Sequence, residues 1–487
     1  MLRLRPLCVG ALSAPAVPFP YRPPGPTMPM PSRPLPFRLP VFLSIAAVAC
    51  VAAAAWVWIH RAPVDEVPLP PDRSEAGPGA EFVNAEASEA YYREWLRREP
   101  DAVEPRVRLA HVLLQQIPTT GRAGERVPEA EALLDGALDR DPAHIYGRAL
   151  KAQLLNVLHE FEGARDLSRE LLADHPDFAF AHGTLIDALV ELGEYDAAVE
   201  VSDQMLALRP GLPSYSRASY LRELHGDTEG AIGAMRLAAD AEPSGRPSRS
   251  WALLKLGELY LGSARPDTAA YIFGGILEED PDFAPALAAL GHVALVQGDA
   301  ASAVSRLEQA RSLRPLVTTD ELLVEAYLTA GDADRSEAAL ARVLQDLDDA
   351  RAMGERVDME EADALADQGR DLDRALTLAE QEVERRPGHL HANETYAWAL
   401  HKSGRSRQAV PYIERAMRLG TGDAMVHYRA GEIYRAVRDG ARAAEHYRAA
   451  LAEHVGVESP STAAAARRAL ASLEAGASAA LAARSAS

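Results

Sequence analysis

Cysteine and lysine are the scarce residues of this 487-residue chain. The two cysteines, Cys8 and Cys50, both lie near the amino terminus, so the rest of the sequence forms neither a disulfide framework nor a thiolate metal cluster. Lys151, Lys255 and Lys402 are the only lysines; arginine supplies the remaining basic charge, which bears on coding composition and not on chemistry. Asp and Glu are absent from residues 1–61, which carry six arginines. Of 51 basic and 71 acidic residues the body therefore keeps 45 and 71, a net 45 − 71 = −26. Such a surface repels phosphate backbones, and no local basic stripe offsets it, so nucleic acid is excluded as a partner. Catalytic signatures are missing as well: there is no GxSxG, no HExxH, no GxxxxGK[ST] and no paired CxxC. The chain is expected not to be an enzyme, with no catalytic residue, no metal and no cofactor.

What the sequence does have is Ala, Leu, Glu and Arg in uniform abundance, a composition that favours helix and argues against a mixture of domain classes. Residues 39–59 (LPVFLSIAAVACVAAAAWVWI) form an uncharged apolar run of 21 residues. At 1.5 Å per residue it reaches about 30 Å, the hydrocarbon thickness of a bilayer. Trp56 and Trp58 stand where an interfacial belt belongs, and Arg38 and Arg61 close the two ends. Five arginines precede the run, whereas Asp65, Glu66 and Asp72 follow it, so the positive-inside bias keeps the amino terminus in the cytoplasm and exports the body, in a bacterium to the periplasm or outer surface. An uncleaved anchor at 39–60 is the favoured reading. A cleaved signal peptide, giving a secreted body, and a lipoprotein signal ending at Cys50 are the rivals. The run is long for a signal, apolar residues continue past Cys50, and Ala47 stands where a lipoprotein signal has Leu. The Pro/Arg-rich segment 1–38 is expected to be disordered, with Met28 or Met30 as alternative starts, and 61–83 to be a linker.

Prolines then recur at Pro142, Pro176 and Pro210, at Pro243, and later at Pro281 and Pro315, three of the intervals being 34 residues. Twelve residues before such prolines stands a small residue: Ala130, Ala164, Ala198, Ala231, Ala269, Ala303 and Ala375. Two helices that cross closely need a small side chain there, because a Leu would push the axes apart. Midway through each unit a turn is written ELGEYD (191–196), LHGDTE (224–229), VQGDAA (296–301), TAGDAD (329–334) or KSGRSR (402–407), with Gly ending one helix and Asp or Ser opening the next. Each unit reads as a helical hairpin.

Leu256, Gly257, Tyr260, Ala269, Phe273 and Pro281 in one unit, Leu290, Gly291, Gly298, Ala303, Ala310 and Pro315 in the next, and Ala430, Gly431, Tyr434, Ala443 and Tyr447 further on stand in a pattern that resembles the tetratricopeptide repeat (TPR) family. The resemblance implies an all-α, right-handed superhelical solenoid of about ten hairpins at 104–142, 143–176, 177–210, 211–243, 250–281, 282–315, 316–349, 356–387, 388–421 and 422–455, preceded by a single transmembrane helix. With end helices at 84–98 and 461–473, the solenoid spans 84–475, and 476–487 is expected to be a disordered tail. The register departs at an insertion (117–127), a loop (244–249) and a degenerate unit (336–356) in which Ser336 replaces the small Ala.

TPR arrays present one face of each first helix on a concave surface, and the resemblance carries that role to Tyr146, Gln153, Asn156, Tyr220, Trp251, His292, Trp398 and His401, and also to Phe180, Asp187, Glu258, His391 and Tyr428. Aromatic rings with polar tips suit peptide recognition. Packing between repeats competes with that role at each position; Trp398 is expected to be exposed, because Tyr396 and Leu400 fill the core positions of its helix. The paired Lys and Asn of a carboxylate clamp are absent. His389, His391 and Glu394 have metal-like spacing but read better as loop and groove residues. The expected function is a scaffold for other proteins in the cell envelope, with an accessory subunit presenting clients to a separate envelope enzyme as the alternative.

Overall fold

A computed structural model describes residues 85–120, 123–352, 355–420, 422–452 and 459–485; the expected amino-terminal segment, anchor and linker lie outside the described residues. Among the described residues there are twenty-two helices and no strand. Helix α1 (Ala85–Arg98) precedes ten antiparallel pairs. These are α2 (Val103–Thr120) with α3 (Ala123–Leu138), α4 (Ile145–Val157) with α5 (Phe161–Asp174), α6 (Ala179–Leu192) with α7 (Tyr195–Leu208), and α8 (Leu212–Leu224) with α9 (Thr228–Asp240). There follow α10 (Pro247–Gly262) with α11 (Pro266–Glu279), α12 (Ala284–Val296) with α13 (Ala300–Leu313), and α14 (Val317–Thr329) with α15 (Ala333–Ala352). The last pairs are α16 (Asp358–Gln368) with α17 (Leu372–Arg385), α18 (Leu390–Lys402) with α19 (Ser406–Ala416), and α20 (Ala424–Ala436) with α21 (Gly440–Ala452), before a closing helix α22 (Pro460–Ser485). No helix among the described residues is long and apolar enough to cross a membrane.

The pairing follows from the recurring residues. Ala130, Ala164, Ala198, Ala231, Ala269, Ala303 and Ala375 are all 0% exposed, each lying where the second helix of a hairpin crosses the first. The reciprocal close approach is made by glycine: a Cβ on Gly257 would sit 2.2 Å from Phe273, and one on Gly431 2.7 Å from Tyr447. Ser336 is buried in place of the small Ala, and its hydroxyl donates to the Val324 carbonyl across the hairpin (2.9 Å), so the degenerate unit still closes. The turn glycines Gly193, Gly226, Gly298, Gly331 and Gly404 all have φ between 75° and 82°. Where glycine is missing, His159, Ala264 and Arg438 take the left-handed conformation at local cost.

The structure differs from the expectations at both ends of the array. The expected insertion at 117–127 is mostly helix, because α2 runs on to Thr120 and α3 starts at Ala123; Pro128 lies inside α3, where it forgoes the bond its N–H would make to the Gly124 carbonyl. The closing helix continues to Ser485, through the tail expected to lack structure; its Ala-rich sequence carries the highest helix propensity available.

The array coils back upon itself. The turns of the second, third and fourth hairpins pack against junctions five to six hairpins later: the Arg385 guanidinium donates to the His159 carbonyl (3.0 Å), the Leu390 N–H to the Tyr195 phenol (3.0 Å), and Arg418 to the Gly193 carbonyl (2.9 Å). Leu390 and Leu419 join the apolar cluster of Leu185, Leu189 and Tyr195. At its far end Glu325, buried on α14, accepts from the Ser461 N–H at the start of α22 (3.1 Å).

Candidate functional site

The first helices of consecutive hairpins lie side by side, so residues four apart on each form a common stripe. On α16 that stripe carries Asp363 and Asp367, on α18 Glu394 and Trp398, and on α20 Arg429. Arg429, 3% exposed, donates to Asp363 Oδ1 (2.7 Å), Asp363 Oδ2 (3.1 Å), Asp367 Oδ1 (3.1 Å) and Glu394 Oε1 (3.2 Å). Burial alone would lower the arginine's pKa, but the three carboxylates hold it well above its ordinary value. Burial in turn raises Asp363, with Arg429 opposing. Three carboxylates against one guanidinium leave this face acidic, and removing the arginine would leave buried charge uncompensated.

Trp398 corrects an expectation. It is 6% exposed and not a free groove residue. Its indole N–H donates to Asp367 (2.7 Å), the guanidinium of Arg429 lies 5.3 Å from its ring centre, Lys402 Nζ lies 5.2 Å from it, and His401 stacks on it at 5.0 Å. His401 and Lys402, on the next turn of its own helix, cover the ring, and Asp367 and Arg429 close over it from the helices on either side. His401 stays half-buried beside it, its Nδ1 within 3.1 Å of the Ser406 hydroxyl, and burial lowers its pKa. Tyr428 completes this group, 6.4 Å from Trp398.

A second group forms at the other end of the array. Tyr146 is half-buried, its phenol 3.1 Å from His111, its ring edge-on to Phe180 at 5.7 Å and capped by Arg108 at 5.3 Å. Gln153 and Asn156 are buried rather than presented: Asn156 donates to the Thr184 carbonyl (2.9 Å), tying α4 to α6. Tyr220 lines a small pocket with Ile186, Asp187, Val190, Glu191, Arg217 and Leu221. There Arg217 grips Asp187 through two hydrogen bonds (2.8 and 2.7 Å). Burial raises both Asp187 and Glu191 against the opposing pull of Arg217 and Arg386. Trp251 packs at the edge of the α10–α11 core, and His292 is half-buried on α12; neither joins the two groups. Glu258 is exposed.

The His389, His391 and Glu394 spacing is used for capping and hydrogen bonding. His389 Nδ1 accepts from the Ala392 N–H at the start of α18, and its Nε2 lies 3.5 Å from Glu191; His391 pairs with Glu394 at 3.1 Å. No three His, Cys, Asp or Glu among the described residues are placed to hold a metal ion.

Sequence reasoning missed Arg429, Asp363 and Asp367, and also Arg217, Arg386 and Glu382. The i, i+4 pairs Asp363/Asp367 and Glu394/Trp398 were legible as stripes; their meeting with an arginine 66 residues from Asp363 was not.

The family described as Tetratricopeptide repeat matches residues 359–424, the segment that holds α16 to α19 and most of the buried acidic cluster. No curated protein matches the chain. Among solved structures, the chain is similar to PilW, described as a widely conserved type IV pilus biogenesis factor, with 16% identity, 42% of this chain and 93% of that chain covered, and a TM-score of 0.36. It is similar also to a chain of the APC/C hetero-tetramer Cut9–Hcn1, with 14% identity, 79% and 93% covered, and a TM-score of 0.36. Residues 359–424 are thus TPR-type repeats, set within an array of helical hairpins that extends to both sides of them.

Proposed function

We propose that the chain is an interaction scaffold of the cell envelope, without catalytic activity of its own, whose first-helix face binds a segment of a partner protein. The observation that carries this reading is the use of side chains: the apolar surface is spent between hairpins, while half-buried groups with polar tips, Tyr146, Tyr220, His401 and Tyr428, remain on the first helices. Such groups supply area and hydrogen bonds together, and few of them suffice to dominate an interface. The envelope location rests on the apolar run 39–59 and the arginine bias that flanks it.

Two measurements test the reading. Partners recovered with the full-length chain from a detergent-solubilised membrane fraction are expected to be lost on Tyr220→Ala or His401→Ala with the circular dichroism unchanged; recovery of the same partners with both variants counts against the face. A reporter active only outside the cytoplasm, fused after residue 70, is expected to be active, and an inactive fusion removes the envelope assignment.

A further inference from the structure

Repeat solenoids are quasi-one-dimensional: each repeat touches only its neighbours, so pitch and curvature are soft. This chain departs from that rule along a seam between successive turns of the coil. The seam is made largely of helix ends. Leu390 opens α18, and its N–H, which has no partner within the helix, donates to the Tyr195 phenol of the third hairpin. The carbonyls of His159 and Gly193, just past the ends of α4 and α6, accept from Arg385 and Arg418, placing cations where helix dipoles end negative. Arg386, 3% exposed, bridges Glu382 of its own helix (2.6 Å) and Glu191 of the facing turn (2.8 Å), and lies 5.1 Å from the centre of the Phe161 ring. His159 donates from Nδ1 to the Arg356 carbonyl (2.6 Å).

The backbones meet at glycine. A Cβ on Gly193 would lie 2.1 Å from the Gly388 carbonyl carbon, and one on Gly226 2.6 Å from the Gly420 oxygen. Turn glycines elsewhere have open space: a Cβ on Gly298, Gly331 or Gly404, whose φ values are similar, would meet no atom within 4 Å beyond the chain neighbours. Gly193 and Gly226 thus serve two purposes, the left-handed turn and the approach of the next coil.

We propose that this seam is a latch that fixes the pitch of the coil, so that the second to fourth and the eighth to tenth hairpins move as one body. The latch stands on the fold alone and does not depend on what the first-helix face binds. Its consequence is that any ligand of these hairpins meets a surface of set pitch, and one that requires a different pitch binds only after the seam parts.

The test is a spin–spin distance across the seam in the full chain. Nitroxides are placed on Glu200→Cys in α7 and Arg407→Cys in α19, both exposed, in a Cys8→Ser, Cys50→Ser background. The parent is expected to give one narrow distance distribution. Gly193→Ala is expected to shift it to longer distance and broaden it, whereas Gly404→Ala, with the same backbone strain and no seam contact, leaves it unchanged. Arg418→Ala, an exposed side chain that reaches the Gly193 carbonyl, is expected to broaden it without threat to folding, and decides the matter if Gly193→Ala does not fold. A broad parent distribution overturns the latch, as does broadening in Gly404→Ala or none in Arg418→Ala.

Discussion

At the scale of residues, the same amino acid takes opposite roles according to what stands over it. Gly257 and Gly233 both lie within helices, but a methyl on the first collides with Phe273 and one on the second meets nothing. Gly257→Ala is expected to destabilise by about 1–3 kcal/mol through overpacking. Gly233→Ala should stabilise by roughly 0.5–1 kcal/mol, since Ala loses less backbone freedom on folding. Urea midpoints moving in opposite directions check the pair, and a common direction refutes it. Trp398 is argued in the same way. Its burial makes Trp398→Ala a core deletion costing about 3–5 kcal/mol, whereas Trp398→Phe keeps a ring and forfeits chiefly the charge-assisted bond to Asp367, worth on the order of 2 kcal/mol. An alanine variant with an unshifted midpoint would return the indole to the surface.

At the scale of elements, the hairpins were readable because each is specified by residues within a 34-residue window: a small residue at the crossing, a turn glycine and a closing proline all act on neighbours a few turns away. The burial of Trp398 was not readable, because beyond His401 and Lys402 of its own helix its cover comes from Arg429 and Asp367 on the two flanking first helices. Nor was the seam, because a contact between Tyr195 and Leu390 leaves no periodic trace in either stretch. The same holds for the docking of α22. Ser459 caps this helix, accepting from the Thr462 N–H (3.1 Å), and the Glu325 carboxylate accepts from both the Ser459 hydroxyl (3.2 Å) and the Ser461 N–H (3.1 Å), a negative charge at a helix amino terminus. Glu325→Ala removes an interaction of capping strength, about 1 kcal/mol, which corresponds to amide exchange roughly fivefold faster over the first turns of α22. Exchange in α20 should not change; equal rates at α22 in the two proteins would mean that the helix is held by Ala463 and its apolar neighbours alone.

At the scale of the whole molecule, burial of titratable groups, His159 and Glu360 by the seam and His111 on the first hairpin, sets two opposing pH dependences. Burial, with Arg386 nearby, holds His159 down to about 4, and burial holds His111 down to about 3. The unfolded chain protonates these rings near 6.5 while the folded chain does not, so stability falls as pH drops from about 6.5 towards 4. His159 alone contributes on the order of 3 kcal/mol over that window, at 1.36 kcal/mol per pKa unit. Glu360 acts in the opposite sense. Burial pushes it up to about 8, so the folded chain keeps a proton that the unfolded one releases near 4.5, and stability is lost as pH rises from there through 8. The urea midpoint is therefore expected to decline on both sides, with the acid limb set by the histidines and the alkaline limb by Glu360. His159→Gln should make the acid limb shallower, His111 still contributing, and leave the alkaline one; Glu360→Gln should flatten the decline between pH 6.5 and 8 and, by removing an opposing contribution between pH 4.5 and 6.5, steepen the acid limb. If the Glu360→Gln curve runs parallel to that of the parent above pH 6.5, the carboxyl is ionised in the folded chain, and the acidic interior is stabilised by its arginines without a proton on Glu360.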